Sequence, residues 1–159
     1  MESLSHTLGP VFNKHSRVLI LGTFPSAKSR ESHFFYGHPQ NRFWKVLATL
    51  TKSSLPSTIE EKKALLLQNG IALWDVIQSC DIEGSSDVSI RNVVPHDITL
   101  VTANAPILHI YANGSKAYDL FHKYCENPSK LPITKLPSTS PANASYSLER
   151  LIKAWSVIL

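Results

Sequence analysis

The sequence predicts an α/β protein, specifically a three-layer α/β/α sandwich around a four-stranded parallel sheet. Three observations lead to this prediction. Four short apolar segments alternate with segments of helical periodicity, which is typical of strands joined by crossover helices. The apolar segments show no regular polar alternation, as expected for strands that are buried on both faces. No linker or internal repeat divides the 159 residues, so we expect a single domain over residues 1–159.

The predicted elements run from a first strand through two helices, and then alternate strand and helix to the end of the chain. The strands are assigned to residues 18–21, 71–77, 107–112 and 133–136. The helices are assigned to residues 42–50, 59–68, 97–103, 115–124 and 148–157. Ser57 with Glu60, or Thr58 with Glu61, fits a capping box at the start of the second helix. Gly70 fits the helix stop that precedes the second strand.

Each predicted strand runs into a polar turn. The turns contain G-T-F-P-S at residues 22–26, W-D at residues 74–75, N-G-S at residues 113–115 and P-S-T-S-P-A-N at residues 137–143. One such turn is ordinary, because turns favour Gly, Pro, Ser and Asn. In a parallel sheet, however, all of these turns meet at the carboxyl edge, where open α/β sheets bind ligands. We therefore expect one polar cleft at this edge.

Composition and charge limit the classes of function. Hydrophobic residues make up 43% and charged residues 18% of the chain, which is ordinary for a globular protein. No apolar run approaches the ~20 residues of a membrane span, and the N-terminus lacks the pattern of a signal peptide, so we expect a cytoplasmic protein. Residues 1–50 carry the whole net charge of +4. A basic surface over one end of the sheet suits a polyanion, and a solvated basic face fits the charge equally well.

Several catalytic chemistries lack the residues that they need. The sequence contains no G-x-S-x-G nucleophile elbow and no G-K-[ST] ending of a phosphate-binding loop. Cys80 and Cys125 are isolated, and the histidines show no metal-ligand spacing, so we expect no metal site and no cofactor. The H-x-E and C-x-x-C pattern of zinc deaminases is absent too, which excludes that class.

Hydroxyl, amide and aromatic side chains near the strand ends suit a protein that grips a nucleic acid and holds one extruded nucleotide. Serines on proline-stiffened turns fit phosphate oxygens, and basic residues surround them. These candidates are Ser26, Ser138 and Ser140, with Lys28 and Arg30 in the basic loop. Aromatic rings stack on exposed bases, whereas amides and carboxyls bond a base edge or orient a water. These candidates are Phe34, Phe35 and Tyr36 for stacking, and Asn41, Asp75 and Asn113 for hydrogen bonding.

Two strings near the N-terminus carry a specific resemblance. G-T-F-P-S at residues 22–26 and Y-G-H-P-Q-N-R-F-W at residues 36–44 resemble the first motif region of the uracil-DNA glycosylase superfamily. Its mismatch-specific branch and its hypoxanthine-DNA glycosylase family are the most similar. L-P-S-T-S-P-A-N at residues 136–143 resembles the second motif, a loop that inserts into DNA. Segment 70–77 resembles the strand that carries base-recognition residues, and segment 110–117 resembles the third strand and the helix after it. The match therefore runs from about residue 17 to about residue 155.

One departure decides which family fits. Phe24 stands where the mismatch-specific enzymes carry a catalytic Asn and where the main uracil-specific family has an Asp in the corresponding turn. The G-T-F-P-S form is that of the hypoxanthine-DNA glycosylases, and there the resemblance implies that Asn41 supplies the catalytic amide. It implies a monofunctional enzyme that hydrolyses the N-glycosidic bond of deoxyinosine in DNA and leaves an abasic site. No lysine is marked as a Schiff-base nucleophile, so we expect no lyase activity.

The resemblance also assigns roles around the substrate. Phe24 and Tyr36 are expected at the flipped base, with Tyr36 stacking on it, and Asp75 and Asn113 are expected to read its edge. The expected DNA contacts are Ser26, Lys28, Arg30, Ser138, Ser140 and Asn143. The partner is then DNA that contains a deaminated base. We expect a monomer that does not bind membranes and that associates with the nucleoid if the source is prokaryotic.

Structural roles compete with several of these assignments. Asn41 is also a good helix N-cap, Phe24 can pack under its turn, and Asn113 precedes a glycine in a common turn dipeptide. Asp75 can pair with a neighbouring helix N-terminus, and His38 can simply hold its loop. Two alternatives to hypoxanthine excision stay open as well. One is an enzyme that mainly excises uracil, and the other is a non-catalytic module that binds damaged DNA.

Overall fold

Two β-sheets form within the part of the chain that the computed structural model describes, which is residues 2–5, 8–24, 34–82 and 90–159. The strands are β1 (Glu2–Ser5), β2 (Val18–Gly22), β3 (Ile71–Asp75), β4 (Ile77–Ile82), β5 (Arg91–Pro95), β6 (His109–Asn113) and β7 (Ile133–Leu136). The central sheet has the order β3-β2-β6-β7, and every pairing in it is parallel. All residues of β2 and β3 are buried, so both faces of this sheet are covered. The predicted parallel sheet of four strands is confirmed.

The second sheet is antiparallel and was not predicted. It has the order β1-β4-β5. The predicted strand over residues 71–77 is wrong at its end, because the parallel strand stops at Asp75 and β4 begins at Ile77. The backbone N–H groups of Val76 and Ile77 still donate to Gly22 and Thr23, at 2.8 and 3.1 Å, and the chain then turns into the other sheet. The apolar segment at residues 71–77 therefore contributes to both sheets.

The helices are close to their predicted positions. They are α1 (Phe43–Leu50), α2 (Ile59–Gln68), α3 (Thr99–Thr102), α4 (Ser115–Tyr124) and α5 (Leu148–Trp155), with a 3-10 turn at Ser156–Ile158. At α2 the side chain of Thr58 accepts from the backbone of Glu61, and the Glu61 side chain accepts from the backbone of Thr58. The second of the two candidate capping boxes is thus confirmed. Gly70 follows with a φ of 69°, a left-handed conformation that favours glycine at a helix end.

The helices cover the two faces of the central sheet. α2 packs against β3, and α4 packs against β6 and β7. The connection from β2 to β3, which contains α2, and the connection from β6 to β7, which contains α4, run in opposite directions along the sheet. Right-handed crossovers of opposite direction place their helices on opposite faces, so α2 and α4 lie on different sides. α1 packs against α5, where the rings of Phe43 and Trp155 meet edge to face with centroids 5.8 Å apart. The predicted three-layer sandwich is confirmed, and no helix of the described residues has the length and apolarity to cross a membrane.

Buried indole rings connect this core to the loops above it. Trp44 Nε1 donates to the carbonyl of Phe35 at 3.1 Å, and Trp155 Nε1 donates to the carbonyl of Pro137 at 2.9 Å. The first bond fixes the loop before α1, and the second fixes the start of the loop after β7. Both loops are therefore held over the same edge of the sheet by the hydrophobic core.

Candidate functional site

The carboxyl ends of the parallel strands meet at one edge of the central sheet. Gly22 at the end of β2 is opposite Asp75 at the end of β3, and Asn113 at the end of β6 is opposite Leu136 at the end of β7. Asp75 and Asn113 are buried, with 3% and 8% of their surface exposed. Buried polar side chains at the ends of strands are a feature of ligand sites in α/β proteins. This edge is the candidate functional site.

The hydroxyl of Tyr36 is buried at this edge between two strand ends. A Cβ atom on Gly22 would stand 2.6 Å from Tyr36 Oη and 2.2 Å from Asp75 Oδ1, so both groups use the space that the glycine leaves open. Among the described residues, Tyr36 Oη has no hydrogen-bond partner. Burial first, and the Asp75 carboxyl second, raise the pKa of the Tyr36 phenol, with the Asn113 amide acting in the opposite direction. The phenol is therefore a neutral O–H group near neutral pH.

The ring of Tyr36 is held from one side. It stacks on Phe43 with ring centroids 4.2 Å apart and planes 24° apart. Its backbone has a φ of 54°, which is uncommon for a residue with a side chain. Phe43 at the start of α1 thus fixes the ring that places the hydroxyl beside Gly22 and Asp75.

Asn41, Thr139 and Asn113 form a continuous hydrogen-bond network across this edge. Asn113 Nδ2 donates to Thr139 Oγ1 at 3.0 Å, and Thr139 Oγ1 donates to Asn41 Oδ1 at 2.8 Å. The backbone N–H of Thr139 donates to Asn113 Oδ1 at 3.0 Å. The backbone N–H of Phe43 donates to Asn41 Oδ1, also at 3.0 Å. Thr139 is completely buried, so the network lies inside the protein and links residues that are 98 positions apart.

The two backbone N–H groups settle the orientation of both amides. A backbone N–H only donates, so the atom it meets on each asparagine must be the carbonyl oxygen. The Oδ1 atom of Asn41 then accepts two hydrogen bonds, which occupies its lone pairs. Within the described residues, Asn41 Nδ2 has no hydrogen-bond partner. The side chain of Asn41 therefore offers N–H donors to the site, while its carbonyl serves the fold.

Arg42 organises the loop that follows β7, here called the serine loop (residues 137–146). Its Nη2 atom donates to the carbonyls of Ser140 and Asn143, both at 3.0 Å, and its Nη1 atom donates to the carbonyl of Tyr146. Its backbone N–H donates to the carbonyl of Thr139 at 3.1 Å. A guanidinium group can hold three carbonyls in one plane because it carries several N–H donors in a fixed fork. Arg42 is therefore a structural cation beneath this loop.

The serine loop forms one wall of a groove beside the start of α4. The groove has a volume of about 560 Å³. Gly114, Ser115 and Lys135 line it, and the serine loop supplies most of the other lining residues. Gly114 has a φ of 96°, and a Cβ atom there would stand 3.1 Å from Ser138 Cβ. The close approach of helix start and loop thus depends on a residue without a side chain.

The structure brings together most of the residues that the sequence singled out. Asn41, Tyr36, Asp75 and Asn113 lie at the sheet edge, and Phe24 is half-buried at the end of the adjoining turn, packed against the hydrophobic core. Their assigned roles toward a substrate stay predictions.

The predicted DNA contacts are divided between described and undescribed segments. Ser138 and Ser140 are half-buried, and their Oγ atoms accept from backbone N–H groups two residues later at 3.1 Å. Asn143 Nδ2 donates to the carbonyl of Ser138 at 3.0 Å. Ser26, Lys28 and Arg30 lie outside the described residues.

Two residues of this site escaped the sequence analysis. Thr139 lies between the two serines that were chosen, and its residue type alone favours neither a structural nor a functional role. Arg42 belongs to the P-Q-N-R-F-W string, but its partners are about a hundred positions away. The N-cap interpretation of Asn41 is wrong by one residue, because the N-cap of α1 is Arg42, which makes no side-chain cap hydrogen bond. Asn41 Oδ1 instead accepts from the backbone N–H of Phe43, two residues later.

Comparisons with known proteins agree with this architecture. Residues 10–158 match the model of the uracil DNA glycosylase superfamily. Two relatives are named hypoxanthine DNA glycosylase, and each is 33% identical to this chain. The one from Methanosarcina barkeri aligns over 110 residues, or 68% of this chain and 70% of its own. The one from Methanosarcina acetivorans aligns over 144 residues, or 88% of this chain and 89% of its own.

A solved structure extends the agreement to three dimensions. The solution NMR structure of a candidate uracil DNA glycosylase from Methanosarcina acetivorans matches with a TM-score of 0.81 and 28% identity. The match covers 99% of this chain and 96% of that one. The family resemblance drawn from the motifs is confirmed. The chain belongs to the uracil DNA glycosylase superfamily.

Proposed function

We propose that the protein is a monofunctional DNA glycosylase that flips a deaminated base out of DNA and hydrolyses its N-glycosidic bond. The preferred substrate is deoxyinosine, from which the enzyme releases hypoxanthine and leaves an abasic site. The observation that supports this most directly is the hydrogen-bond network at the sheet edge, which occupies the carbonyl of Asn41 and leaves its N–H groups without a partner among the described residues. The names of the two relatives support hypoxanthine as the base.

The reaction needs charge stabilisation on both sides of the bond that breaks. As the bond between the sugar C1′ and the base nitrogen breaks, positive charge grows on the sugar and the electron pair leaves with the base. Phosphates of the bound DNA stabilise the sugar, and hydrogen-bond donors in the pocket stabilise the departing base. Water then attacks C1′ and gives its hydroxyl to the sugar, and its proton ends on the departing base, which is released as a neutral molecule. Asn41 is the proposed catalytic residue, and it acts by holding the base or the water in place rather than by removing a proton.

The remaining candidates surround the flipped base and the DNA backbone. Tyr36 and Phe24 contact the base in this proposal, with Tyr36 stacking on it through the ring face that is opposite Phe43. Asp75 and Asn113 are the proposed hydrogen-bond partners of the base edge.

The DNA backbone is assigned to the serine loop and to the segment that contains Ser26, Lys28 and Arg30. The proposed contacts are Ser26, Lys28, Arg30, Ser138, Ser140 and Asn143. Hydroxyls and basic groups bond phosphates without reading sequence, which suits an enzyme that must scan DNA. Ser138, Ser140 and Asn143 all line the groove beside the start of α4, which supports their common assignment to the backbone.

An end-labelled duplex with a single deoxyinosine tests the function. We expect strand scission only after alkali treatment, because a monofunctional glycosylase leaves the backbone intact at an abasic site. Scission without alkali would contradict the monofunctional assignment. Binding of the duplex without any base release would favour the non-catalytic module instead.

Uracil is the second candidate substrate. The similarity to a candidate uracil DNA glycosylase structure, at 28% identity, favours it. Duplexes with uracil, hypoxanthine or xanthine at the same position, compared under single-turnover conditions, give the order of preference. We expect hypoxanthine to be released fastest. A faster release of uracil would reverse the assignment without removing the glycosylase function.

Replacing the catalytic amide tests the site. Asn41→Ala should lower the single-turnover excision rate by at least about tenfold while binding of the duplex changes little, since a positioned polar group contributes this much or more. Asn104→Ala is a matched control, because Asn104 is an exposed residue whose side chain only bonds the carbonyl of Leu100. Full activity of Asn41→Ala would move the catalytic role elsewhere, first to Asn113.

The proposal also covers the assembly state and the cellular location of the protein. We propose that the protein acts as a monomer in the cytoplasm, on nucleoid DNA if the source is prokaryotic. Size-exclusion chromatography with light scattering measures the assembly state, and a stable dimer would refute the monomer.

A further inference from the structure

We propose that Thr139 is a positioning residue for the reaction, which rests on the proposed function. Its hydroxyl ties Asn41 to Asn113 and uses the last acceptor capacity of Asn41. Asn41 consequently meets the substrate only as an N–H donor. The two sequence motifs, one before α1 and one after β7, then act as one unit through this hydroxyl.

The burial of Thr139 is the first observation that points to this role. None of its surface is exposed, so its hydroxyl has no access to solvent. A buried hydroxyl must find partners inside the protein. It finds them in two amides that both belong to the candidate site.

The direction of each hydrogen bond is the second observation. Asn113 Oδ1 is occupied by the Thr139 backbone N–H, so the group that Asn113 turns toward Thr139 Oγ1 is its N–H. The hydroxyl accepts this bond and is left with one proton to donate. It donates that proton to Asn41 Oδ1, which already accepts from the Phe43 backbone. Every donor in this chain of bonds meets one acceptor.

The consequence for the chemistry is specific. An amide oxygen that already accepts two hydrogen bonds cannot accept a further one from the attacking water. Its two N–H groups can donate to the departing base, where negative charge grows, or to the oxygen of the water. Thr139 therefore decides which half of the Asn41 amide takes part in the reaction.

Three variants separate the hydroxyl from the shape of the side chain. Thr139→Val keeps the shape and loses the hydroxyl, whereas Thr139→Ser keeps the hydroxyl and loses the methyl group. Thr134→Val is the matched control, because Thr134 is a half-buried β7 residue whose hydroxyl bonds His109 Nε2 at 2.7 Å. We expect about a tenfold loss of the single-turnover excision rate in Thr139→Val, the scale of one ordinary hydrogen bond, with recovery to within about threefold in Thr139→Ser.

Asn41→Asp tests the donor role independently. A carboxylate keeps both acceptor contacts, to Phe43 and to Thr139, but has no N–H to offer. We expect the excision rate of Asn41→Asp to fall as far as that of Asn41→Ala. If Asn41 acted through its carbonyl, the aspartate would keep or exceed the wild-type rate, and that result would overturn the inference.

Side-chain amide resonances give a readout that does not depend on activity. In ¹⁵N-labelled protein, Thr139→Val should shift the NH₂ signals of Asn41 and Asn113, and Thr134→Val should shift neither. Unshifted signals, or a Thr139→Val enzyme that excises as fast as wild type, would refute the role of Thr139 alone. Wild-type protein that releases no base from any duplex would refute the proposed function instead.

Discussion

Adding one methyl group at Gly22 is the sharpest test of how the site is packed. The Cβ of Gly22→Ala would stand 2.2 Å from Asp75 Oδ1 and 2.6 Å from Tyr36 Oη. Both distances are shorter than real Cβ contacts, so at least one of the two side chains has to move. The backbone of Gly22 lies outside the left-handed region, and the penalty therefore comes from contact rather than from backbone strain.

The magnitude follows from the cost of overpacking a buried position. Inserting a methylene-sized group into a well-packed core destabilises proteins by about 1–3 kcal/mol. For a chain of this length, each kcal/mol corresponds to about 2–4 °C in melting temperature, so the expected decrease is about 2–12 °C. Excision should fall as well, because the displaced groups are candidates for binding the base.

Calorimetry or chemical denaturation measures the loss of stability in Gly22→Ala, and Gly9→Ala is the control. A Cβ at Gly9 has no neighbour within 4 Å, so Gly9→Ala should leave stability nearly unchanged. Combining Gly22→Ala with Tyr36→Phe removes one of the two close contacts. The methyl group should then cost less, by about 0.5 kcal/mol or more, than in the wild-type background.

Two results would refute this reasoning about Gly22. If Gly22→Ala were as stable as Gly9→Ala, the close packing at the strand ends would be disproved. If its cost were the same in the wild-type and the Tyr36→Phe backgrounds, the Tyr36 hydroxyl would have no part in it. Tyr36→Phe alone should not destabilise the protein, because it removes a buried hydroxyl without a hydrogen-bond partner among the described residues.

Two further predictions concern the serine loop and the start of α2. Arg42→Lys should lower the free energy of unfolding in urea by about 1.5–3 kcal/mol and weaken DNA binding in fluorescence anisotropy, because a lysine cannot hold three carbonyls in a fixed fork. Arg91→Lys is the control at an exposed arginine. An Arg42→Lys variant with unchanged stability and binding would contradict the role of the guanidinium group. Hydrogen bonds from Ser57 and Thr58 lower the pKa of Glu61 below 4.5, so Glu61 stabilises the fold above that pH and loses this effect as the pH falls. Glu61→Gln should therefore destabilise the protein at about pH 7 but not at about pH 3, and an equal cost at both values would refute the assignment.

The parallel sheet was predictable because its strands carry their own signal. Buried parallel strands are apolar throughout, and residues 18–21 and 133–136 were placed within one residue of the observed bounds. The second sheet carries no comparable signal. β5 is exposed at three of its five residues, and β1 reads E-S-L-S, so neither resembles a core strand. The turn from β3 into β4 is hidden as well, because residues on both sides of it are buried.

The site was predictable to the extent that topology decides it. Parallel strands bring their polar ends to one edge whatever the side chains are, and Asp75 and Asn113 were found on that basis. The side-chain contacts across this edge, in contrast, join residues that are far apart in the sequence. Thr139 meets Asn41 over 98 positions, and Arg42 meets the serine loop over a similar separation. Nothing local in either segment specifies the partner, so a single sequence could not reveal these bonds.

The arrangement of donors also bears on which bases the enzyme accepts. Under the proposed function, Asn41 contributes N–H groups, and the neutral Tyr36 phenol can contribute an O–H group. Deamination replaces an amino group, which donates, with a carbonyl, which accepts. Where the Asn41 and Tyr36 donors face the group that deamination changes, the site accepts hypoxanthine and uracil. Adenine or cytosine would leave two donors face to face there, which is costly in a buried site. Guanine and thymine carry the same carbonyl, so their exclusion must come from shape or from the stability of their pairs in the duplex.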